Sequence, residues 1–401
     1  MRRSPNRVCL ERVRRQNQPS FRDACAAPLV VSPLTGTRMP TSRPSWLSCP
    51  RPLARGCFFS VLMAPLGLAL APQHADAQTA GDSLPFVPAY APPPGAPYRA
   101  VEVRVPSAAA ALGATLTIPC GATDRLPAAV LIAGTGVQDR DGGVMPNDPY
   151  RPLRQIADTL SRRGIAVLRL DDRGFAEGNH WSPPTAAEVA EDVRNAISLL
   201  RGRADIDAQR ILVIGHSEGG IVAPMIAAGD SGLAGIILLS APAKSWRQTR
   251  QELARAAAER DPRLRTAEER DSVASAQLAS EEVMITRVRA FGFLADHDPL
   301  PAARRVSRPS VLILHGATDQ QVPPAHVELL AAAFRAGGNR DVSVRLFPET
   351  NHLMVHDPNG DPSGYDALPS RTVTAEVLGA LAEWASTRLG ARSDPQQSTC
   401  R

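Results

Sequence analysis

The most regular pattern in the chain is a series of short aliphatic runs, each followed by a turn and then by a segment of helical periodicity. Such runs are typical of strands that are buried on both faces of a parallel sheet. They are Ala129–Ala133, Ile165–Leu170, Ile211–Ile214, Ile236–Leu239 and Val311–Leu314. Strands that alternate with helices predict a single α/β domain with a mostly parallel, doubly wound sheet.

Two further strands are expected to open this sheet. Val101–Val105 alternates in polarity, and Ala114–Ile118 follows a short segment of Ala and Gly, which together predict an antiparallel hairpin. A last strand is expected at Val342–Phe347. The domain is expected to span residues 99–390, followed by a flexible tail at 391–401.

Helical periodicity is clear at Ala186–Leu200 and at Thr372–Leu389. Residues 243–307 separate two predicted strands by far more than one crossover helix requires. Because residues 248–290 are rich in Ala, Arg and Glu, we expect this insertion to form a helical cap over the edge of the sheet. Whether it acts as a lid or as a structural cap is left open.

The N-terminal part of the chain has the pattern of an export signal. Basic residues precede an apolar core at 57–71, and Ala75-Asp76-Ala77 follows as a small-x-small cleavage site. Residues 1–77 are therefore expected to be a leader, and the chain is expected to be exported to the periplasm or the outside of the cell. Residues 78–98 are rich in proline and predict an extended linker.

The net charge is distributed unevenly along the chain. The chain carries a net charge of +5, but residues 1–77 alone carry +8 and the remainder carries −3. A nucleic-acid partner is therefore not expected. The 15-residue apolar core is too short to span a bilayer, so no stable membrane insertion of the chain after the leader is expected. Whether translation starts at Met1 or at Met39 is left open, as is the oligomeric state.

Two of the six cysteines, Cys120 and Cys400, lie after the predicted cleavage site. In an oxidising compartment these two thiols could pair. The sequence does not supply the distance between them, so the pairing is left open.

One strand-to-helix turn carries the strongest chemical signal. Gly215-His216-Ser217-Glu218-Gly219 has the form G-x-S-x-G and directly follows the run Ile211–Ile214. The glycines allow a strand to turn tightly into a helix and leave the serine exposed at the helix N-terminus. The motif predicts that Ser217 is a catalytic nucleophile, and a glycine-rich turn with a capping serine is the plain structural alternative.

A serine hydroxyl needs a base to accept its proton and an acid to orient that base. Asp319 follows the run Val311–Leu314, and His352 follows the predicted strand Val342–Phe347. The order Ser217, Asp319, His352 is that of α/β hydrolases, and we expect these residues to form a catalytic triad.

Other histidines and aspartates are weaker candidates. His216 is expected to point away from the nucleophile, and His315 is expected to be packed or hydrogen-bonded at a strand end. His356 is expected at the surface. Asp296 and Asp298 are expected in loops or in the cap.

A tetrahedral intermediate needs two preorganised N–H donors, which form an oxyanion hole. The backbone N–H of Glu218 is one candidate, and the other is expected in the loop after Ala129–Ala133, at Thr135 or, next best, at Gly136. No cofactor or metal ion is expected, because the chain lacks a phosphate-binding loop, C-x-x-C and H-E-x-x-H.

Two charged pairs near this loop leave two interpretations open. Asp139-Arg140-Asp141 and Asp172-Arg173 either hold the oxyanion loop through charge-assisted hydrogen bonds or are solvated loop residues. Neither segment has the spacing of a metal site.

The motifs together resemble bacterial α/β-hydrolase carboxylesterases, in which a G-S-G-x-x-D-R-D loop accompanies a G-H-S-x-G-G elbow. The resemblance covers the chain from about Val101 to Gly390. Its segments are IAGTGVQDRDG (132–142), DDRGFAEG (171–178), GHSEGG (215–220), HDPLP (297–301), LHGATDQQVP (314–323) and ETNHLM (349–354).

This resemblance implies an α/β-hydrolase fold, the triad Ser217, Asp319 and His352, oxyanion amides at Thr135 and Glu218, and a cap at 243–307. Thr135 stands where these proteins usually have Ser, which is a mild change because the donor is a backbone N–H. The linker and the loop Cys120–Leu126 have no counterpart in the family pattern.

The expected function is that of an exported serine hydrolase that cleaves small carboxylic esters through an acyl-enzyme. A peptidase or amidase of the prolyl-oligopeptidase or aminopeptidase type, or a thioesterase, is the alternative on the same fold. A binding protein on a hydrolase scaffold is the non-enzyme alternative.

Overall fold

The computed structural model describes residues 90–108, 110–143, 150–179, 182–391 and 400. These residues belong to one compact unit, Leu66–Arg401. The predicted leader at 1–77, with its signal peptide, and the first part of the predicted linker, 78–89, lie outside the described residues.

The described residues form an eight-stranded sheet in the order β1-β2-β4-β3-β5-β6-β7-β8. The strands are β1 Tyr98–Val105, β2 Leu112–Pro119, β3 Leu126–Ile132, β4 Ala166–Leu170, β5 Ile206–His216, β6 Gly235–Leu239, β7 Ser310–Gly316 and β8 Val342–Phe347. The β2 strand runs antiparallel to both of its neighbours, and all other neighbours are parallel. The predicted opening hairpin and mostly parallel sheet are confirmed.

Helices cover both faces of the sheet. They are α1 Pro152–Ser161, α2 Ala186–Arg201, α3 Gly219–Ala227, α4 Trp246–Arg260, α5 Ala267–Arg287, α6 Arg289–Asp296, α7 Leu300–Arg305, α8 His326–Ala336 and α9 Ala375–Leu389, with a 3-10 helix at Pro362–Ala367. One core cluster joins the sheet to α2, α3 and α8, and the other joins it to α1 and α9. Burial from both sides explains why β3 and β6 are apolar throughout.

Two predicted boundaries move for local reasons. The β1 strand begins at Tyr98, inside the predicted linker, and the Tyr98 hydroxyl donates to Asp158 of α1 at 2.6 Å. The preceding Tyr90 lies under the Arg140 guanidinium, so the end of that segment packs on the domain. The last helix begins after Thr374, whose hydroxyl caps it by accepting from the Val377 N–H at 3.3 Å.

The insertion at 243–307 is helical, as expected, and contains α4 to α7. Ser245 and Thr266 form capping boxes that start its two long helices. Arg289 of α6 pairs with Glu188 in the first turn of α2 at 2.9 Å. Because α2 follows β4, this contact places the insertion at the carboxyl edge of the sheet.

Cys400 forms a disulfide with Cys120 on the loop after β2, with 5.5 Å between their Cα atoms. The predicted flexible tail is therefore fixed to the domain at this residue, and 392–399 lie outside the described residues. Within the described part of the chain, no helix combines the length and apolarity needed to cross a bilayer.

Candidate active site

The turn between β5 and α3 holds Ser217 in a strained backbone conformation. Its φ angle is +53°, in the left-handed region that residues with a Cβ rarely adopt. The turn requires glycine at two positions. A Cβ at Gly215 would lie 2.0 Å from the Gly219 carbonyl oxygen, and a Cβ at Gly219 would lie 2.7 Å from the Ala133 carbonyl oxygen, both too close for a side chain. Two glycines in the motif thus allow the turn and the close approach of the loop after β3.

His352 bridges the two other predicted triad residues. Its Nε2 lies 3.0 Å from the Ser217 Oγ, and its Nδ1 lies 2.9 Å from the Asp319 Oδ2. The three residues follow the carboxyl ends of β5, β7 and β8, where parallel strands meet at one edge of the sheet. An imidazole in this position can accept the serine proton while the carboxylate holds its other nitrogen protonated.

Asp319 is held in its ionised form. Its Oδ1 accepts from the backbone N–H groups of Gln321 and Val322, each at 2.8 Å. Burial alone would raise the pKa of Asp319, but the adjacent His352 and His315 more than offset this and hold the pKa well below its usual range. The carboxylate therefore stays charged and can accept a hydrogen bond from the His352 Nδ1.

His315 and His216 contact the predicted triad residues Asp319 and His352. His315 is fully buried, as expected, and its Nε2 lies 2.9 Å from the Val322 carbonyl oxygen and 3.3 Å from the Asp319 carboxylate. His216 donates from Nε2 to the His352 carbonyl oxygen at 2.9 Å. Burial, reinforced by the nearby His352, lowers the pKa of His216 to about 4, so it acts as a neutral donor.

Two positioning residues were missed in the sequence. The side chain of Asn351 is fully buried, and its Oδ1 accepts from the Leu353 N–H at 2.9 Å while its Nδ2 donates to Asp357 at 3.1 Å. The Tyr365 hydroxyl of the 3-10 helix accepts at 3.4 Å from the side chain of Gln321, whose backbone N–H donates to Asp319. Only the E-T-N-H-L-M segment contained a signal, because an Asn before the histidine is suited to hold a tight turn.

The two predicted oxyanion donors lie on facing segments. The backbone N–H groups of Thr135 and Glu218 form no hydrogen bond with any other described residue. A Cβ built on Gly134 would lie 3.4 Å from the Ser217 Cβ, so the loop after β3 reaches the nucleophile. Gly136 has a φ of +109°, which a residue with a Cβ avoids. Both amides are thus free to donate to an oxyanion.

The segment Asp139–Asp141 is an ion-paired brace rather than a solvated loop. Arg140 makes a bidentate contact with Asp171, at 3.0 Å through Nε and at 2.6 Å through Nη2, and pairs with Glu102. Asp141 pairs with Arg169, which is 2% exposed in the middle of β4. Burial lowers the pKa of Arg169 to about 10, which leaves it charged. These pairs tie the oxyanion loop to β4.

The two residues of the segment Asp172-Arg173 contact different parts of the domain. Asp172 accepts from the Gln138 N–H at 2.9 Å, and the Gln138 side chain donates to the Thr135 carbonyl oxygen at 3.2 Å. Arg173 turns away and pairs with Asp192 of α2 at 2.7 Å. Asp172 therefore contacts the oxyanion loop, whereas Arg173 anchors the turn to a helix.

The three other weaker candidates have contacts outside this cluster. His356 is exposed, Asp296 ends α6 and pairs with Arg247, and Asp298 accepts from the Leu300 N–H at the start of α7. Among the residues that the structure describes, no three His, Cys, Asp or Glu side chains are grouped as a metal site would require.

Comparison with known proteins identifies the family. The sequence model of the serine aminopeptidase S33 family of hydrolases matches residues 147–359, just over half of the chain. Esterase EstD of Thermotoga maritima is 28% identical over 277 residues, which cover 67% of this chain and 64% of EstD. The chain thus spans less than two thirds of the length of this relative.

Two further relatives are more distant. The uncharacterized protein YfhR of Escherichia coli K12 is 33% identical over 85 residues, which are 21% of this chain and 29% of YfhR. A puromycin-hydrolysing peptidase of Mycobacterium tuberculosis superposes with a TM-score of 0.50 at 18% identity, over 75% of this chain and 41% of that one. The α/β-hydrolase fold and the resemblance to bacterial esterases of this fold are confirmed. The chain belongs to the serine aminopeptidase S33 family, a family of serine hydrolases.

Proposed function

We propose that this protein cleaves carboxylic esters through an acyl-enzyme formed on Ser217. The observation that carries the proposal is the position of His352, whose ring joins the Ser217 hydroxyl at 3.0 Å to the Asp319 carboxylate at 2.9 Å. A hydroxyl placed in this way loses its proton to the imidazole as it attacks a carbonyl carbon.

Each step uses a group that is already in place. The Ser217 Oγ bonds to the ester carbonyl carbon, its proton moves to the His352 Nε2, and the N–H groups of Thr135 and Glu218 hold the oxyanion. The C–O bond to the alcohol then breaks as His352 returns the proton to the leaving oxygen. A water molecule then attacks the acyl carbonyl carbon while His352 takes its proton. His352 returns the proton to the Ser217 Oγ as the carboxylic acid leaves.

Esters are favoured over amides by a relative and by chemistry. EstD, which is 28% identical to this chain, is named as an esterase. An alcohol also leaves without the full protonation that an amine demands, so the same triad acts more readily on esters. Small esters are therefore the proposed substrate class.

The test is turnover of p-nitrophenyl acetate and butyrate, compared with amino-acid p-nitroanilides and a thioester. The proposal predicts ester turnover that is lost in Ser217→Ala, with slow or no release from the anilides. Preference for the anilides or the thioester would overturn the ester assignment. Inertness toward all three, together with no labelling by a fluorophosphonate probe, would favour a binding protein on a hydrolase scaffold.

A second candidate is an aminopeptidase, because the matched family is described as a serine aminopeptidase family. Such an enzyme requires a free amino group on its substrate. Cleavage of alanyl- and prolyl-p-nitroanilides, together with failure on their N-acetylated forms, would support this candidate over the esterase.

We propose further that the protein is exported after removal of residues 1–77. The signal-like order of basic residues, apolar core and A-D-A supports this, and so does the disulfide between Cys120 and Cys400, because disulfides persist in oxidising compartments. N-terminal sequencing of the secreted form is expected to start at Gln78. A cytosolic, uncleaved chain would overturn this proposal.

A further inference from the structure

A buried tyrosine that the proposed mechanism does not use contacts the turn that carries His352. Tyr150 lies just before α1, and its hydroxyl donates to the Leu353 backbone carbonyl oxygen at 2.8 Å. The two residues are 203 positions apart in the chain. Leu353 directly follows His352, so this hydrogen bond acts on the peptide unit next to the proposed base.

The turn after β8 has a strained backbone on either side of His352. Glu349 and Met354 have φ angles of +47° and +59°. Residues with a Cβ rarely adopt these left-handed values, which persist only where surrounding contacts hold them. Within the turn, the Asn351 Oδ1 accepts from the Leu353 N–H at 2.9 Å. The position of the imidazole therefore depends on the contacts that keep this turn from relaxing.

Three successive carbonyl oxygens of the turn each accept a hydrogen bond from a different part of the domain. The donors lie at the end of β5, before α1 and before α9, in the pairs His216 to His352 at 2.9 Å, Tyr150 to Leu353 at 2.8 Å and Thr374 to Met354 at 3.0 Å. The first donor neighbours the nucleophile, and the third is a backbone N–H. Of these three donors, only the Tyr150 hydroxyl can be removed by a substitution that changes neither the elbow nor the backbone.

Two contacts tie the segment around Tyr150 to the oxyanion loop. They are the ion pair of Arg151 with Asp139 and the hydrogen bond from the Leu153 N–H to the Asp141 carbonyl oxygen at 3.1 Å. Residues 139–141 follow directly on the loop at 133–138, which carries Thr135. Tyr150 therefore connects the turn of the proposed base to the loop that holds one proposed oxyanion donor.

We propose that Tyr150 is a positioning residue that keeps the His352 imidazole in place by holding the Leu353 carbonyl oxygen. This inference rests on the proposed function, because it concerns the same triad. Without the hydroxyl, two of the three carbonyl contacts remain and the strained turn can relax toward ordinary φ values. A small displacement of the base slows proton transfer in the transition state, whereas substrate binding before that step does not use the imidazole.

The first test compares Tyr150→Phe with Tyr98→Phe in steady-state hydrolysis of p-nitrophenyl butyrate. Both variants keep the aromatic ring and remove one buried tyrosine hydroxyl, but that of Tyr98 donates to Asp158 of α1 rather than to the turn. Tyr150→Phe is expected to lower kcat by about 10–100-fold while KM changes by less than about twofold. Tyr98→Phe is expected to keep the wild-type kcat and KM. A general loss of stability would appear in thermal melts of both variants and would not separate their kcat values.

The second measurement uses no substrate. In proton NMR spectra, the Nδ1–H of His352 that faces Asp319 is expected as a far-downfield resonance, identified by its absence from Asp319→Asn. Tyr150→Phe is expected to shift or broaden this resonance, and Tyr98→Phe is expected to leave it in place. Because the resonance reports on the imidazole and its carboxylate partner, it distinguishes a movement of His352 from a change in substrate binding.

Three results would overturn the inference. They are a kcat of Tyr150→Phe that matches that of Tyr98→Phe, a loss of activity that lies in KM rather than in kcat, and a His352 resonance that Tyr150→Phe leaves unchanged. A wild-type protein that neither hydrolyses esters nor reacts with a fluorophosphonate would remove the proposed function itself. An active wild type with two indistinguishable tyrosine variants would remove only this inference.

Discussion

At the scale of single residues, the partners of a buried carboxyl decide whether it keeps its charge. Asp319 is buried, but His352 and His315 more than offset the effect of burial and hold its pKa below the usual range. Glu218 is buried with no hydrogen-bond partner for its Oε1 among the described residues, and burial raises its pKa to about 7. Different partners thus leave one buried carboxylate ionised and give another buried carboxyl that titrates near neutral pH.

Asp319→Asn is expected to lower kcat by about 10³–10⁴-fold with a small change in KM, because the amide can no longer hold the His352 Nδ1 in its protonated form. Steady-state kinetics on a p-nitrophenyl ester measure this loss. Asp298→Asn changes an exposed loop carboxylate and is expected to retain wild-type kcat. A kcat for Asp319→Asn within tenfold of wild type would remove Asp319 from the triad.

Glu218→Gln is expected to become more stable than wild type as pH rises. The folded-state pKa of Glu218 is raised from 4.5 to about 7, so its favourable contribution is complete below pH 4.5 and is lost as pH rises through 7. The difference in unfolding free energy between variant and wild type should therefore grow by about 3 kcal/mol between pH 4.5 and pH 8. Urea unfolding at a series of pH values measures it, and a constant difference would contradict the raised pKa.

At the scale of elements, ion pairs within the domain connect the oxyanion loop to β4. Arg169 extends from the middle of β4 to Asp141, and Asp171 at the end of β4 receives Arg140. Charged pairs at such depth contribute to the position of the loop more than to net stability, since desolvation offsets much of their attraction. Ion pairs with residues of β4 and its end thus hold the loop that carries Thr135 in position.

Arg169→Met is expected to destabilise the domain by about 3–5 kcal/mol, because it leaves Asp141 buried without its close partner. Arg154, whose Nη1 lies 4.0 Å from Asp141, offsets only part of this loss. Arg162→Met removes an exposed pair with Asp158 and should cost below about 1 kcal/mol. Chemical denaturation measures the unfolding free energy of both variants. Equal decreases would show that the buried pair stabilises the domain no more than the exposed pair does.

At the scale of the whole molecule, the chain is closed by a covalent link between its C-terminal end and the loop after β2. Cys120 and Cys400 are separated by 280 residues, so the disulfide constrains nearly the entire domain in the unfolded state. The residues of the proposed triad and oxyanion hole lie at the carboxyl edge of the sheet on other elements. Stability and catalysis are therefore expected to respond separately to this link.

The double variant Cys120→Ser, Cys400→Ser is expected to lose about 2–5 kcal/mol of unfolding free energy, because the unfolded chain regains the freedom of a long loop. Its kcat/KM on a p-nitrophenyl ester at 25 °C is expected to stay at the wild-type value. Thermal melts with and without reductant supply the comparison. A wild-type melting temperature that does not respond to reductant would contradict this role of the disulfide.

The sequence predicted the strands and the three residues that meet at their ends, because aliphatic runs, a glycine motif and chain order are local signals. The partner of Asp141 could not be predicted in this way. Arg169 interrupts an aliphatic run, and only the alignment of β4 beside β2 and β3 places its side chain in the interior. The pairing of Cys120 with Cys400 likewise depended on a distance that spacing along the chain does not contain.

The most direct test of the account is the mass of the intact protein after reaction with a fluorophosphonate. We expect wild type to gain one adduct that peptide mapping places on Ser217, and Ser217→Ala to gain none. Ser240→Ala, which changes a buried serine that also has a positive φ at the end of β6, should label as wild type does. An adduct on another residue, or ester turnover that persists in Ser217→Ala, would contradict the central claim that Ser217 is the activated nucleophile.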